Sequence, residues 1–239
     1  MKKIFMCLCF ILSIAGGSIK AQSLWASAEV KYDFLKKLSA KIEGEYRTFN
    51  KFDGSERWSA GIGLDYKVIP YLKLDAGYKY ISRHFEERIT SKGNIVEEFW
   101  QPRQRAYFSV TGSYKWKRFS FSIRERYQFT HHKSMYVGKT SSSGKPKDDE
   151  FIAGKDRNML RSRIKIDYSI KKSRFQPYIS AELYNDLKGF SYSKTRLTAG
   201  TEFKINKHNT IEAYYRYIDR ADPDEDGGNI IGIGYQFKF

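Results

Sequence analysis

The stretch Arg57–Val68 reads RWSAGIGLDYKV, and its alternation decides the fold. One set of alternate positions is apolar and the other is polar or small: Trp58, Ala60, Ile62, Leu64, Tyr66 and Val68 against Ser59, Gly61, Gly63, Asp65 and Lys67. A period of two predicts a β-strand with one apolar face. Strands of soluble sheets average about five or six residues, whereas about 9–11 tilted residues cross a bilayer. The length of this stretch therefore favours a strand that spans a membrane.

Ten further segments repeat this alternation along the chain. They are residues 24–34, 38–48, 72–83, 104–115, 119–130, 159–170, 176–186, 194–204, 209–219 and 229–239. Their apolar faces end in aromatic residues, and the chain holds 18 Tyr and 17 Phe, as the aromatic girdles of a membrane barrel require. Eleven strands of membrane length are therefore predicted.

The connections between these segments alternate between short and long. Short ones fall at 35–37, 69–71, 116–118, 171–174 and 205–208, and long polar ones at 50–56, 84–103, 131–158, 187–193 and 220–228. This pattern predicts an all-β fold, an antiparallel up-and-down transmembrane β-barrel of 10–12 strands over residues 22–239. Bacterial single-chain barrels normally have even strand counts, so we expect ten or twelve. Either 24–34 is not a full strand or one is missed inside 84–103. Loop 131–158 is predicted to be flexible.

The first 21 residues have the layout of a secretory signal peptide. Lys2 and Lys3 precede a short apolar run, and small residues lead to a cleavage site after Ala21. Cys7 and Cys9 lie in this segment, so the mature chain is expected to use no disulfide or thiolate chemistry. After Ala21 no apolar run is long enough for a helical span. These features predict export to the outer membrane of a Gram-negative bacterium.

The basic balance of the chain bears on its partners. The formal net charge is +16, and removal of residues 1–21 leaves 40 basic and 27 acidic residues, a net charge of +13. Such a balance suits nucleic acid, but export argues against that partner. Outer-membrane lipid or an anionic solute is the partner class that we expect instead. No cofactor is predicted, and the oligomeric state stays open.

The ending Gly234-Tyr235-Gln236-Phe237-Lys238-Phe239 is typical of the terminal signal that the barrel-assembly machinery reads during biogenesis. Together with WASAEVKYDFLKKLSAKIEGEYR at Trp25–Arg47, FSFSIRERYQFTH at Phe119–His131 and the ending Ile231–Phe239, it resembles the family called domain of unknown function 2490. The resemblance implies an outer-membrane barrel whose biochemical role is uncharacterised. It carries no catalytic signature.

The polar faces of the predicted strands carry charges that should point into the lumen. They are Glu29, Glu43, Glu45, Arg47, Asp65, Asp75, Arg105, Arg124, Arg126, Arg161, Arg163, Asp167, Glu182, Arg196, Glu202, Glu212 and Arg216. Arginine pairs carboxylates bidentately, so a salt-bridged interior that closes the barrel is the favoured reading. A narrow pore that prefers anions is the alternative. No spacing among the carboxylates singles out a pair for hydrolysis.

Glu125 falls on the apolar, lipid-facing set of its strand. Charge near the middle of that face is costly. Either a bulge turns the side chain inward, or a polar neighbour such as Ser162 or Gln104 pairs with it. A protein-contact or lipid-modifying site on the outer wall is the sharper hypothesis.

Two short motifs offer weak chemistry. His132-Lys133-Ser134 resembles the His-x-Ser pair of outer-membrane lipid hydrolases, with Asn158 as the nearest candidate to orient the histidine. The acidic run of Asp222, Asp224 and Asp226 opens like a calcium loop but has Ile233 at the twelfth position, which rules out an EF-hand. Weak binding of a divalent ion stays open.

We therefore favour an uncharacterised barrel with a structural or interaction role. The alternative is a small passive channel for anionic solutes, and the third hypothesis is a lipid-acting hydrolase. An enzyme is the less favoured class.

Overall fold

The computed structural model describes residues 23–49 and 52–239, so the predicted signal peptide, residues 1–21, lies outside the described residues. Eleven long strands form the wall of one closed barrel. The strands are numbered in chain order together with the four strands of a second sheet, β5, β6, β9 and β10, which is described below. The wall strands are β1 (Ser23–Leu35), β2 (Leu38–Thr48), β3 (Ser55–Ile69), β4 (Leu72–Phe85), β7 (Phe99–Trp116), β8 (Phe119–His132), β11 (Lys155–Tyr168), β12 (Phe175–Asp186), β13 (Ser191–Lys204), β14 (Asn209–Ile218) and β15 (Gly228–Lys238).

Neighbouring wall strands pair antiparallel in chain order, and the barrel closes by one parallel pair. β1 and β15 run side by side from Ser23↔Ile230 to Lys31↔Lys238. The expectation of ten or twelve strands was wrong, because 24–34 is a full wall strand and 84–103 contributes no extra one to the wall. When strands alternate in direction, an odd number leaves the first and last strands pointing the same way. Ser23 therefore lies at the long-loop end of the barrel, and Phe239 lies at the short-turn end.

A small second sheet stands at the long-loop end. It has the order β10-β9-β6-β5, built from β5 (Arg88–Ile89), β6 (Ile95–Val96), β9 (Met135–Thr140) and β10 (Pro146–Ile152). The prediction that loop 131–158 is flexible was wrong, because its two halves pair as β9 and β10 and β9 also pairs with β6. Lys139 Nζ lies 2.9 Å from Glu150 Oε2 across this sheet.

The two faces of the wall have opposite character. Outward-facing Ile42, Ile62 and Ile123 are each about 60% exposed, and aromatic side chains flank this belt at both ends. A soluble monomer seldom exposes so wide an apolar surface. Within the described residues, no helix is long and apolar enough to cross a membrane. Inside the barrel, by contrast, Arg103 and Lys194 are among the largest fully buried side chains.

Inward-facing glycines leave room for large rings in the lumen. The Tyr214 ring packs directly over Gly232, and the Tyr107 ring packs over Gly77. Tyrosine over glycine across neighbouring strands restores the contact area that a strand glycine lacks. The inner wall is therefore covered at these glycines by the rings of neighbouring strands.

We predict that Gly232→Val destabilises the barrel, because the new side chain would occupy the place of the Tyr214 ring. Overpacking of this kind costs about 1–3 kcal/mol. Urea unfolding of protein folded in lipid vesicles measures the loss. Gly44→Val is the matched control, because an added Cβ there meets nothing within 4 Å. Equal losses for both variants would contradict the packing argument.

Candidate functional site: a plugged lumen

The last long connection, Asp219–Gly227, folds into the barrel, and we call it the plug loop. Asp222 and Glu225 exchange backbone hydrogen bonds of 2.8 and 3.1 Å across Pro223-Asp224. The Asp222 carboxylate accepts the Asp224 backbone N–H at 3.0 Å. Proline second in a turn and aspartate first are the residues that such a turn prefers. The local sequence therefore forms a rigid acidic tip.

The tip meets a ring of inward-facing basic side chains that we call the collar. Its members come from seven wall strands and surround the tip: Arg47, Arg57, Arg83, Arg103, Arg105, His132, Arg157, Lys194 and Arg196. All belong to strand positions near the long-loop end. The collar is the basic counterpart of the plug loop.

Asp222 and Asp224 anchor one side of the tip. Asp222 lies 2.8 Å from Arg157 Nη1 and 2.8 Å from Lys194 Nζ. Asp224 lies 3.0 Å from Arg103 Nη1 and 3.1 Å from Arg157 Nη1. The Pro223 carbonyl also accepts hydrogen bonds from Arg103 at 2.9 Å and from Arg83. Hydrogen bonds between charged partners are stronger than those between neutral groups.

Glu225 anchors the other side and is 1% exposed. Arg47 Nη1 donates to it at 2.6 Å, Lys194 Nζ lies 2.7 Å away, and Arg196 Nε donates at 2.9 Å. The Arg47 guanidinium also lies 3.3 Å from the centre of the Trp25 ring. Three cations from two strands, β2 and β13, therefore converge on one carboxylate.

The collar controls the ionisation of the plug loop. Burial disfavours the charged carboxylates, but Arg196, Lys194 and Arg47 outweigh it and hold the pKa of Glu225 well below its usual range. Burial is likewise outweighed at Asp224, where His132, Arg105 and Arg103 hold the pKa well below its usual range. The space left between plug and collar is about 10 Å³, which is about the minimum for one water. The plug therefore fits tightly and is charged at neutral pH.

A larger cavity of about 360 Å³ lies on the short-turn side of the plug, and we call it the chamber. Glu182 is its central carboxylate. Arg161 Nη2 donates to both Glu182 oxygens at 3.0 and 3.1 Å, and Arg124 also donates to it. Tyr184 Oη donates at 3.0 Å, and Arg196 Nη1 lies 3.8 Å away. Several cations therefore depend on one buried acid.

The structure places the predicted lumen charges on the inner wall in three groups. Arg47, Arg105 and Arg196 belong to the collar. Lining the chamber are Glu29, Glu43, Glu45, Arg124, Arg161, Arg163, Glu182, Arg196, Glu202, Glu212 and Arg216. A third cluster near the short-turn end contains Asp65, Asp75 and Arg126, with Lys41 Nζ 2.8 Å from Asp75 and Arg126 Nη2 2.7 Å from it, while Asp167 pairs with Lys165 at 2.8 Å.

Sequence reasoning missed several members of the collar. Arg57, Arg83, Arg103, Arg157 and Lys194 all lie at alternate, inward positions near strand ends. β7 and β11 begin earlier than the alternation suggested, at Phe99 and Lys155. Arg57, Arg83 and Lys194 are terminal residues of predicted segments, and extension of the same alternation past the predicted ends would have reached Arg103 and Arg157. The contact of these residues with the plug loop has no sequence signal.

His132 and Ser134 are not brought together. His132 is buried and its Nε2 lies 3.2 Å from Asp224 in the plug loop, whereas Ser134 is exposed. Asn158 accepts a hydrogen bond from Tyr127 Oη at 2.6 Å. The arrangement that a histidine-activated serine needs is not assembled in this structure.

The acidic run at Asp222, Asp224 and Asp226 faces cations. Asp226 Oδ1 accepts a hydrogen bond from Arg83 Nη2 at 2.9 Å. Asp226 thus contacts a basic side chain, as Asp222 and Asp224 do. Among the described residues, no group of three or more His, Cys, Asp or Glu side chains has the arrangement of a metal site. Arginine and lysine occupy the positions around these carboxylates that a divalent ion would take.

Glu125 lies on the outer wall in the middle of β8. No bulge interrupts the pairing of β8 with either neighbour, and Ser162 Oγ, its register partner, donates to Glu125 Oε2 at 2.6 Å. The hypothesis of a polar neighbour describes this geometry, and Ser162 is that neighbour. The pair puts a charge on an otherwise apolar part of the wall.

We predict opposite effects at these two positions. Ser162→Ala should destabilise the barrel by about 1–3 kcal/mol, because it leaves the Glu125 carboxylate without its donor in an apolar setting. Glu125→Leu should raise stability, because it removes charge from the lipid-facing wall. Urea unfolding in vesicles measures both. If Glu125→Leu instead lowered stability or blocked assembly, the carboxylate would have a further partner.

A closed wall with an apolar exterior, a charged interior and long strands defines the class of protein: this is a barrel of the outer-membrane type. The chain belongs to the family described as protein of unknown function (DUF2490), whose model matches residues 22–228.

Solved structures show the same fold at low sequence identity. The NanC porin structure is 17% identical, with a TM-score of 0.51, covering 92% of this chain and all of that one. The beta domain of the Bordetella autotransporter BrkA is 11% identical, with a TM-score of 0.53, covering 83% and 78%. The translocator domain of the autotransporter NalP from Neisseria meningitidis is 10% identical, with a TM-score of 0.54, covering 95% and 92%. No curated protein matches the sequence.

Proposed function

We propose that this protein is an outer-membrane barrel of a Gram-negative bacterium that rests in a closed state and has a structural or interaction role. The observation that carries the proposal is the plug loop, whose acidic tip is bound by the collar with about 10 Å³ to spare. The long-loop end and its small sheet then face outward. The signal peptide at 1–21, outer-membrane lipid as the surrounding partner and the assembly signal in Gly234, Tyr235, Phe237 and Phe239 are part of this proposal.

Single-channel recording in planar bilayers tests the closed state. We expect purified protein to give no steady conductance at neutral pH, because the tip and collar block the lumen across its width. Insertion is verified separately, by protease protection of the barrel in vesicles prepared from the same sample. A steady open level from correctly inserted protein would overturn the proposal.

Acid is expected to loosen the plug only below the ordinary carboxylate range. A released loop would titrate with ordinary pKa values of about 4, whereas in the bound loop the pKa values of Asp224 and Glu225 are held well below theirs. Plug binding therefore keeps its full strength above about pH 4 and weakens as the pH falls towards the depressed values. Recordings at about pH 7 and about pH 5 should be silent, and openings should appear near pH 3. Openings of equal frequency at about pH 5 and about pH 3 would contradict this linkage.

A passive channel for anionic solutes is the second candidate. It is favoured by the composition of the collar, whose seven arginines and one lysine would face an open lumen once the carboxylates of the plug loop withdrew. Rings of basic side chains make pores selective for anions. In this case the plug would act as a gate, and wild-type protein would show brief openings that prefer chloride over potassium.

A further inference from the structure

Two arginines in the chamber have no acidic partner. Arg163 and Arg216 both line this cavity of about 360 Å³. Among residues 23–49 and 52–239, neither has a carboxylate oxygen within 4.0 Å of its guanidinium nitrogens. Arg216 Nε donates to Thr198 Oγ1 at 3.0 Å, and its guanidinium lies 4.5 Å from the centre of the Tyr214 ring. These contacts position the charge of Arg216 without neutralising it.

The carboxylates of the chamber are engaged elsewhere. Glu43 lies 3.1 Å from Lys79, Glu202 lies 3.0 Å from Lys165, and Glu212 accepts a hydrogen bond from Tyr178. Glu182 is shared by Arg124 and Arg161 and also approaches Arg196. Glu45 pairs with Arg47, and Glu29 accepts a hydrogen bond from Gln236. Among the described residues, no carboxylate oxygen of the chamber therefore lies within 4.0 Å of the Arg163 or Arg216 guanidinium.

The arginine cluster also has unsatisfied donors. The Nε atoms of Arg124, Arg161 and Arg163 are buried, and none has a hydrogen-bond partner in the described part of the chain. Arg163 is the register partner of Arg124 on one neighbouring strand and of Glu182 on the other. Glu182 is already shared by Arg124 and Arg161, and it has no oxygen within 4.0 Å of the Arg163 guanidinium. Buried charge without a counter-charge is costly. A bound anion would offset that cost.

We propose that the chamber binds a small oxyanion, a phosphate- or carboxylate-bearing solute, between Arg163 and Arg216 with Arg124 beside them. The planar fork of guanidinium matches phosphate and carboxylate oxygens bidentately. A cavity of about 360 Å³ is within the range of small-molecule sites. The site lies on the short-turn side of the plug, so it stands independently of whether the plug opens.

Thermal unfolding of the folded barrel in detergent, with inorganic phosphate, succinate or chloride at equal ionic strength, tests the site. A ligand that binds the folded state raises its midpoint in a saturable way. We expect phosphate or succinate to do so and chloride to have no such effect. Arg163→Gln and Arg216→Gln should each weaken the effective anion about tenfold, the loss of one charge-assisted contact. Arg118→Gln, at an exposed arginine in a short turn, is the control and should bind as wild type.

Two further outcomes keep the proposal falsifiable if a glutamine variant folds poorly. Arg163→Lys retains the positive charge but loses the fork, and it should also bind more weakly than wild type. Equal stabilisation by chloride, or undiminished stabilisation of folded Arg163→Lys and Arg216→Gln, would overturn the site. Because the readout is a stability shift and not a conductance, failure here leaves the closed-barrel proposal untouched, and a conducting wild type leaves this site untouched.

Discussion

The double variant Asp224→Asn, Glu225→Gln is expected to turn a silent barrel into one that conducts and prefers anions. The two changes remove the charges that bind Arg103, Arg157, Arg47 and Arg196 to the plug loop. Loss of one partner from a buried ion pair costs about 3–5 kcal/mol, because the other charge stays buried without compensation. Repulsion among the collar arginines should then expel the tip, because only the carboxylates of Asp222 and Asp226 still bind it to the collar.

Planar-bilayer recording with a salt gradient measures both the conductance and its ion preference. Asp148→Asn, Asp149→Asn is the matched control, because it removes the same charge from exposed positions of β10. That control should stay as silent as wild type. A folded, inserted Asp224→Asn, Glu225→Gln variant with no conductance would show that the plug is held by packing and backbone contacts, such as those to the Pro223 carbonyl.

The variant Glu182→Gln is expected to lower the free energy of unfolding by about 3–5 kcal/mol. Arg161 Nη2 donates to both oxygens of this carboxylate, Arg124 and Tyr184 also donate to it, and Arg196 lies nearby. An amide cannot balance these charges, and its NH2 group would point a donor at a guanidinium. The expected loss is large because this one carboxylate balances the charge of several arginines.

Urea unfolding in lipid vesicles, followed by the fluorescence of the chain's four tryptophans, measures this effect. Glu29→Gln is the control, because the Glu29 carboxylate accepts a hydrogen bond from the Gln236 side chain and pairs with no cation within 4.0 Å in the described residues. It should change stability little. Equal losses at Glu29 and Glu182 would mean that the ion pairs of Glu182 contribute nothing particular to the free energy of unfolding.

Added phosphate should recover more stability for Glu182→Gln than for wild type if the chamber binds oxyanions.

The strands of the wall could be predicted from the sequence because the residue types of a barrel strand follow the environment of its two faces. In Arg57–Val68 every second side chain meets lipid and every other one meets the lumen, so alternation alone assigns both faces. Glu125 illustrates the reach of this reasoning. Its position on the apolar set led to the expectation of a polar neighbour, and Ser162 is that neighbour in the structure.

The strand count was not readable in the same way. Alternation counted eleven segments, but a general preference for even barrels led to the expectation of ten or twelve, which the structure corrects. Closure depends on which two edges meet, and the hydrogen bonds between Ser23–Lys31 and Ile230–Lys238 join residues about as far apart in sequence as the chain allows. No local pattern reports such a pairing.

The candidate site, too, could be predicted from the sequence only in part. The sequence by itself determined the barrel class, the faces of the eleven strands and the supply of arginines and carboxylates inside, because each follows from a residue and its near neighbours. Only the tertiary structure decided that Asp222–Asp226 folds inward as a plug and that His132 faces Asp224 and not Ser134. It also decided that Arg163 and Arg216 lack acidic partners. Ion pairing in a lumen depends on distances across the barrel between strands remote in sequence, and those distances exist only once the wall has closed.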